Sequence, residues 1–276
     1  MPNPDFLCIG TQKSGTTWLF ENLVKHPDVW TPPVKEMHYF NRMCLNKDLL
    51  GYWNMPHPGG FFARYRVGLW PPRLNTIRWI KNYYDYGLSK NWYRNLFDEV
   101  YTQGKVCGDI TPGYCTLEER GVKYVQDVIG QDTPVIFIVR NPIERSWSAA
   151  KMMFRYRKIE VSEKNGKALA EILQHPSITL CSEYTRIINL WRKYFANFHV
   201  LTYDELCADP KKFLAKVSEY IRISDQWDQA TIAQRFWSDK HKTAIPPAIQ
   251  TLLEQQYRGE IESTAKLLQD RYVDQW

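Results

Sequence analysis

Long apolar runs are missing from this sequence: no window of its 276 residues approaches the ~18 uninterrupted apolar residues of a membrane span. The opening "MPNPDFLCIG" has no basic segment followed by an apolar stretch, so no signal peptide is expected. Cysteine is sparse. Cys8, Cys44, Cys107, Cys115, Cys181 and Cys207 fall at irregular spacings without a C-x-x-C pair. That pattern argues against a disulfide framework or a zinc site and fits reduced thiols in a cytoplasmic protein. Neither an internal repeat nor a low-complexity linker is present, and the formal charge is a modest +6.

What is present reads as one globular unit. Apolar residues make up 44% and charged residues 24%, and the length suffices for a full core in a single domain spanning 1–276. Short β-type runs alternate with helical patterns. Strands are expected at 6–9, 28–31, 105–109, 134–139 and 198–203, and helices near 16–25, 118–130, 142–157, 182–196, 207–221 and 247–270. The run "PVIFIV" is continuously apolar, as a strand covered on both faces requires. Such alternation predicts an α/β fold with a central parallel sheet flanked by helices, whose ligands sit at the carboxyl ends of the strands.

Residues 42–104 show no clear period and read as an insertion over the sheet edge. Between Gly60 and Asn95 seven basic residues (Arg64, Arg66, Arg73, Arg78, Lys81, Lys90, Arg94) face one acid, Asp85, among ten aromatics. Two readings stay open: a surface for an anionic or ring-containing partner, or a solvated face over an aromatic mini-core.

The stretch "FLCIGTQKSGTTWLFENL" (6–23) nearly spells a phosphate-binding loop, G-x-x-x-x-G-K-[ST]. Gly10, Gly15 and Thr17 are in place, but Thr16 stands where the lysine belongs and Lys13 lies inside the loop. A strand, a glycine loop and a helix in that order leave the first-turn amides and the helix dipole to favour a phosphate. A lysine moved to the other side could neutralise a single bridging oxygen between a phosphate and a transferred group. Sulfuryl carries less charge than phosphoryl, so its transfer need not use a metal clamp. In "PVIFIVRNPIERSWSAAKM", Arg140 emerges from a buried strand just before a helix. There Asn141 is the expected N-cap, Pro142 the first helical residue and Glu144 the completion of an N-x-x-E capping arrangement. Ser148 lies two turns in, while Arg145 and Ser146 are expected at the surface or as supports behind the site.

"TQKSGTTWL" resembles the 5′-phosphosulfate loop of sulfotransferases that use 3′-phosphoadenylyl sulfate (PAPS), and Arg140 with Ser148 resembles their 3′-phosphate motif. The resemblance implies a P-loop-like sulfotransferase fold and no metal. It implies that Lys13 contacts the bridging oxygen, that Ser14, Gly15, Thr16 and Thr17 bind the 5′-phosphate, and that Trp18 packs on the adenine. "LTYDELCADPKKFLAKVSEYI" resembles the segment whose tyrosine, here Tyr203, approaches the adenine, and Lys240 and Lys242 resemble a basic loop closing over the 3′-phosphate.

Sulfuryl transfer to a hydroxyl or amine needs a proton acceptor. "TPPVKEMHYFN" (31–41) offers Glu36 and His38, which on an extended segment would point the same way. The stretch resembles the glutamate motif of heparan-sulfate-type and related bacterial sulfotransferases. That likeness implies Glu36 as base, with its pKa raised by partial burial, and His38 as a neighbour. Unlike the cytosolic enzymes, the chain has no histidine in "VCGDITPGYC" (106–115), and it lacks the lysine that heparan-type enzymes place near Ile110. The acceptor implied is a small molecule, lipid or glycan, not a nucleic acid, with residues 42–104 on its side. Two rivals remain: a Mg²⁺-dependent kinase with a degenerate loop and Asp109 as metal-binding acid, and a polyanion or nucleic-acid binder using residues 60–95.

Overall fold

The computed structural model describes residues 2–44, 74–85, 87–158, 166–234 and 244–276. Five strands, β1 (Phe6–Gly10), β2 (Val29–Trp30), β3 (Val106–Ile110), β4 (Val135–Val139) and β5 (Phe198–Thr202), form one sheet in the order β2-β3-β1-β4-β5. Every neighbouring pair is parallel, with Phe6 opposite Gly108, Leu7 opposite Val135 and Val139 opposite Thr202.

Burial on both faces explains why β1 and β4 carry no polar side chain. Leu7, Ile9, Val135, Phe137 and Val139 point to one face, where they meet Val122, Val125, Trp147, Ile187 and Trp191 from the helices there. Phe6, Cys8, Ile136, Ile138 and Leu201 point to the other, against Leu19, Leu23, Phe213, Leu214 and Val217. All five residues of β4 are fully buried, each worth ~1.5–3 kcal/mol of burial for a large apolar side chain. On the second face the Phe6 ring lies on Gly108, where an added Cβ would stand 2.2 Å from Phe6 Cζ. β3 can therefore approach β1 only through glycine.

The helices Thr16–Lys25 and Pro142–Arg157 form where the sequence places them, and Glu119–Ile129, Tyr184–Tyr194 and Pro247–Leu268 differ by a few residues. The expected 207–221 helix is two, Tyr203–Ala208 and Pro210–Ile221. Pro210 cannot continue a helix, and the Asp209 side chain caps the new one by accepting from Lys212 N–H.

Within 42–104, the described part contains helices Leu74–Tyr84, Lys90–Asn95 and Glu99–Thr102. It packs on the sheet edge: Trp79 and Phe97 meet Trp30 of β2 edge-on at 6.4 and 6.5 Å. Trp79, Tyr83 and Tyr93 are buried, and Arg94 donates to the Asn3 side chain and Val128 carbonyl. The aromatics described here thus build a mini-core, beneath exposed Arg78, Lys81 and Lys90. Arg64, Arg66, Arg73 and Trp70 lie outside the described residues.

Candidate active site

Because all strands run the same way, their carboxyl ends share one edge of the sheet. Lys13 follows β1, Glu36 and His38 follow β2, Asp109 is the last residue but one of β3, Arg140 follows β4 and Tyr203 follows β5.

The loop after β1 turns at Gly15, which has φ +86° and caps the helix Thr16–Lys25 without a side-chain hydrogen bond. The first bond into that helix is from Leu19 N–H to the Gly15 carbonyl. The amides of Thr16, Thr17 and Trp18 therefore have no acceptor within the helix, and no acid occupies the first turn. An added Cβ on Gly15 would meet Leu206 Cδ1 at 3.0 Å and Tyr203 Cδ2 at 3.3 Å, so Tyr203 packs directly on the loop. Ser14 is buried, and its hydroxyl is 2.6 Å from that of Thr11. Trp18 is also buried; its indole N–H donates to the Ile232 carbonyl at 3.3 Å and its ring meets Phe213 edge-on.

Arg140 ties these parts together. Its Nη1 donates to the Lys13 carbonyl at 3.1 Å, and its guanidinium lies 4.4 Å from the Tyr203 ring centroid. Its Nε and Nη2 donate to Glu144 Oε2 at 3.3 and 2.8 Å. Glu144 thus faces Arg140 and does not close the capping arrangement; Asn141 alone caps, accepting from Ile143 N–H. Ser148, half-buried, sits one turn beyond Glu144 on the same helix face. Sequence reasoning gave no sign of Tyr184, whose hydroxyl donates to the Arg140 carbonyl at 2.6 Å.

Arg145 and Ser146 are not surface residues: both are fully buried. Arg145 donates to Ser182 Oγ and the Ile178 carbonyl, and Ser146 to the Tyr257 hydroxyl, so they bind the helix Pro142–Arg157 to neighbouring elements. Lys240 and Lys242 lie outside the described residues.

The segment carrying Glu36 and His38 is not extended, as both residues have positive φ (64° and 54°). The two side chains nonetheless converge, with His38 Nε2 3.5 Å from Glu36 Oε2, while Lys35 Nζ contacts Glu36 Oε1 at 2.5 Å. Asn41 fixes the imidazole. Its Nδ2 donates to the Gly113 carbonyl, which turns its Oδ1 toward His38 Nδ1 at 3.0 Å. Nδ1 accordingly carries a proton, and Nε2 faces the carboxylate. Burial pushes the Glu36 pKa up, but the Lys35 ammonium and the His38 contact outweigh it and hold the carboxyl well below the usual range. That reverses the raised value expected from burial alone.

Asp109 is enclosed. Thr111 donates to its Oδ1 at 2.6 Å, and Tyr114 and Tyr93 to its Oδ2 at 2.7 and 3.0 Å; the residue is 1% exposed. Burial raises its pKa. Its lone pairs are engaged by hydroxyls, which leaves a kinase-type role as magnesium ligand without geometric support.

No sequence-family model matches the chain. Over 158 residues, 56% of the chain, it is 26% identical to the membrane-associated sulfotransferase kil1 of Dictyostelium discoideum, and it spans about a quarter (24%) of that protein's length. Its fold matches a sulfotransferase from Alicyclobacillus acidocaldarius with a TM-score of 0.67 at 19% identity, over 98% of this chain and 97% of that one. It also matches the sulfotransferase domain of the Synechococcus PCC 7002 olefin synthase (TM-score 0.54, 20% identity, 93% and 95% covered). A third match is the sulfotransferase domain of the curacin biosynthetic pathway (TM-score 0.56, 16% identity, 89% and 82% covered).

Proposed function

Starting from a chain that has the sulfotransferase fold and is similar in sequence to a sulfotransferase, we propose that it transfers a sulfuryl group from PAPS to a hydroxyl or amine of a small-molecule, lipid or glycan acceptor. The observation that carries this reading is the bond from Arg140 to the Lys13 carbonyl, with Tyr203 packed on both Gly15 and Arg140. It joins the loop after β1 to the arginine at the end of β4. An uncapped helix N-terminus beside a separate arginine suits a ligand with phosphate groups at two positions, as PAPS has.

PAPS supplies the sulfuryl group on a phosphate–sulfate anhydride. The amides of Thr16, Thr17 and Trp18 bind its 5′-phosphate, and Arg140 with Ser148 its 3′-phosphate. Lys13 stabilises the negative charge that grows on the bridging oxygen as the S–O bond breaks. Glu36 takes the acceptor's proton as the new bond to sulfur forms, and 3′,5′-ADP leaves. A carboxylate held low by Lys35 is ionised but weakly basic, so an acceptor must loosen that contact before Glu36 serves. His38 is the alternative base, and Glu36→Gln with near-normal turnover would transfer the role to it. The described residues contain no helix long and apolar enough to cross a membrane, and all six cysteines are free thiols. The free thiols support the cytoplasmic placement we propose.

The test is thermal stabilisation by 3′,5′-ADP compared with ATP plus Mg²⁺, followed by labelled PAPS with an acceptor panel and mass detection of the added sulfuryl group. Preference for ATP plus Mg²⁺ would favour the kinase. Steeply salt-dependent association with nucleic acid, independent of PAPS, would favour the polyanion binder.

A further inference from the structure

We propose that Glu144 is a built-in competitor for the 3′-phosphate: its carboxylate occupies Arg140 until the nucleotide displaces it, and returns as the product leaves. This rests on the donor reading above and assigns a role to a residue that the reading leaves out.

The guanidinium has three kinds of partner, and only one is charged. The Lys13 carbonyl on Nη1 and the Tyr203 ring on the flat face are neutral and compatible with a bound anion. Glu144 takes the Nε and Nη2 edge, the fork that would grip a phosphate. Both cannot use that edge, because two anions would then crowd one cation. The exposures show which group gives way: the Glu144 side chain is 57% exposed and that of Arg140 18%. Glu144 has solvent to swing into, whereas Arg140 is held between the loop and the ring. Ser148 lies one turn beyond Glu144 on the same face, so a phosphate shared by Arg140 and Ser148 crosses the space the carboxylate now fills.

The competition lowers affinity for anything that needs this edge. Breaking an exposed pair of this kind costs a factor of about 2–5 in binding, and repulsion between Glu144 and the phosphate acts in the same direction. Stray monoanions are kept off Arg140, and 3′,5′-ADP is released faster than the other contacts alone would allow.

The experiment is calorimetric titration of wild type, Glu144→Gln, Arg140→Ala and the double variant with 3′,5′-ADP, 5′-AMP and inorganic phosphate. Glu144→Ala serves as a second variant in the same titrations. The expected result is that Glu144→Gln tightens 3′,5′-ADP about three- to tenfold, changes 5′-AMP by less than about twofold, and loses this gain when Arg140 is absent. Unchanged or weaker 3′,5′-ADP binding in both Glu144 variants would overturn the proposal and make Glu144 a support that orients Arg140. If wild type binds no 3′,5′-ADP, the donor reading fails and inorganic phosphate decides: an Arg140-dependent gain in Glu144→Gln upholds the competitor, and no gain overturns it.

Discussion

Replacing Gly15 by alanine tests the geometry on which the site depends. At φ +86° an L-residue pays about 1–2 kcal/mol for the left-handed conformation. The new Cβ would also stand 3.0 Å from Leu206 Cδ1 and 3.3 Å from Tyr203 Cδ2, inside the ~3.5–4.0 Å of a comfortable carbon contact. Relief of such overpacking costs about 1 kcal/mol at the low end, since the nearest atom is the tip of a side chain. The total is about 2–3 kcal/mol, and at ~2–4 °C per kcal/mol for a chain of this size class the melting temperature should fall by ~4–12 °C. Tyr203 also supports Arg140, so 3′,5′-ADP should bind at least about tenfold more weakly. Calorimetric melting and titration measure both effects. Combining Gly15→Ala with Leu206→Ala separates the contributions: the double variant should be less destabilised than the sum of the singles, because the contact is relieved while the torsional cost remains. A melting temperature within ~1 °C of wild type would refute the strain argument, and strict additivity would refute the contact.

Three further outcomes are expected. Lys13→Ala should lower kcat/KM by ~10²–10³-fold while 3′,5′-ADP binding stays within about threefold; equal losses in steady-state kinetics and titration would remove its transition-state role. Lys35→Met removes the main influence that holds Glu36 low, so the Glu36 pKa rises and the acid limb of the kcat/KM profile should move to higher pH. Because a depressed folded-state carboxyl stabilises only above its unfolded value, wild type should exceed Lys35→Met in stability near neutrality and lose that margin as pH falls through the folded-state value, as denaturant midpoints across pH would show. Tyr114→Phe takes one of three hydroxyl donors from buried Asp109, which should cost ~1–3 kcal/mol in urea unfolding, and an unchanged midpoint would contradict the enclosure.

The central strands were legible because they are short apolar runs covered on both faces, as "PVIFIV" shows, and the parallel sheet followed from the alternation of strands with helices. The positions of the loop after β1 and of Arg140 after β4 were legible because glycine spacing and strand-to-helix order are local. Tyr184, Asn41 and the enclosure of Asp109 were not, since each depends on partners far along the chain: Tyr184 reaches Arg140 across 44 positions and Asn41 reaches Gly113 across 72. Local pattern misled at Glu36 and His38, where left-handed backbone replaces the extended segment. It left Arg145 open between the surface and a support, and the side chain is buried, donating to a carbonyl and a hydroxyl of other elements. The helices Lys90–Asn95 and Glu99–Thr102 escaped notice because they are short, and the aromatics of 74–102 pack as rings on rings, such as Trp79 stacked on Tyr83 at 5.2 Å.

The strand order has a consequence for how such a chain diversifies. Seen from central β1, the loops bearing Glu36 and His38 hang on the β3–β2 flank, and Arg140 and Tyr203 hang on the β4–β5 flank. On the donor reading proposed above, one wing can be rewritten, lengthened or re-lined to suit a new molecule while the opposite wing keeps its hold on the nucleotide, because different strands carry the two sets of loops.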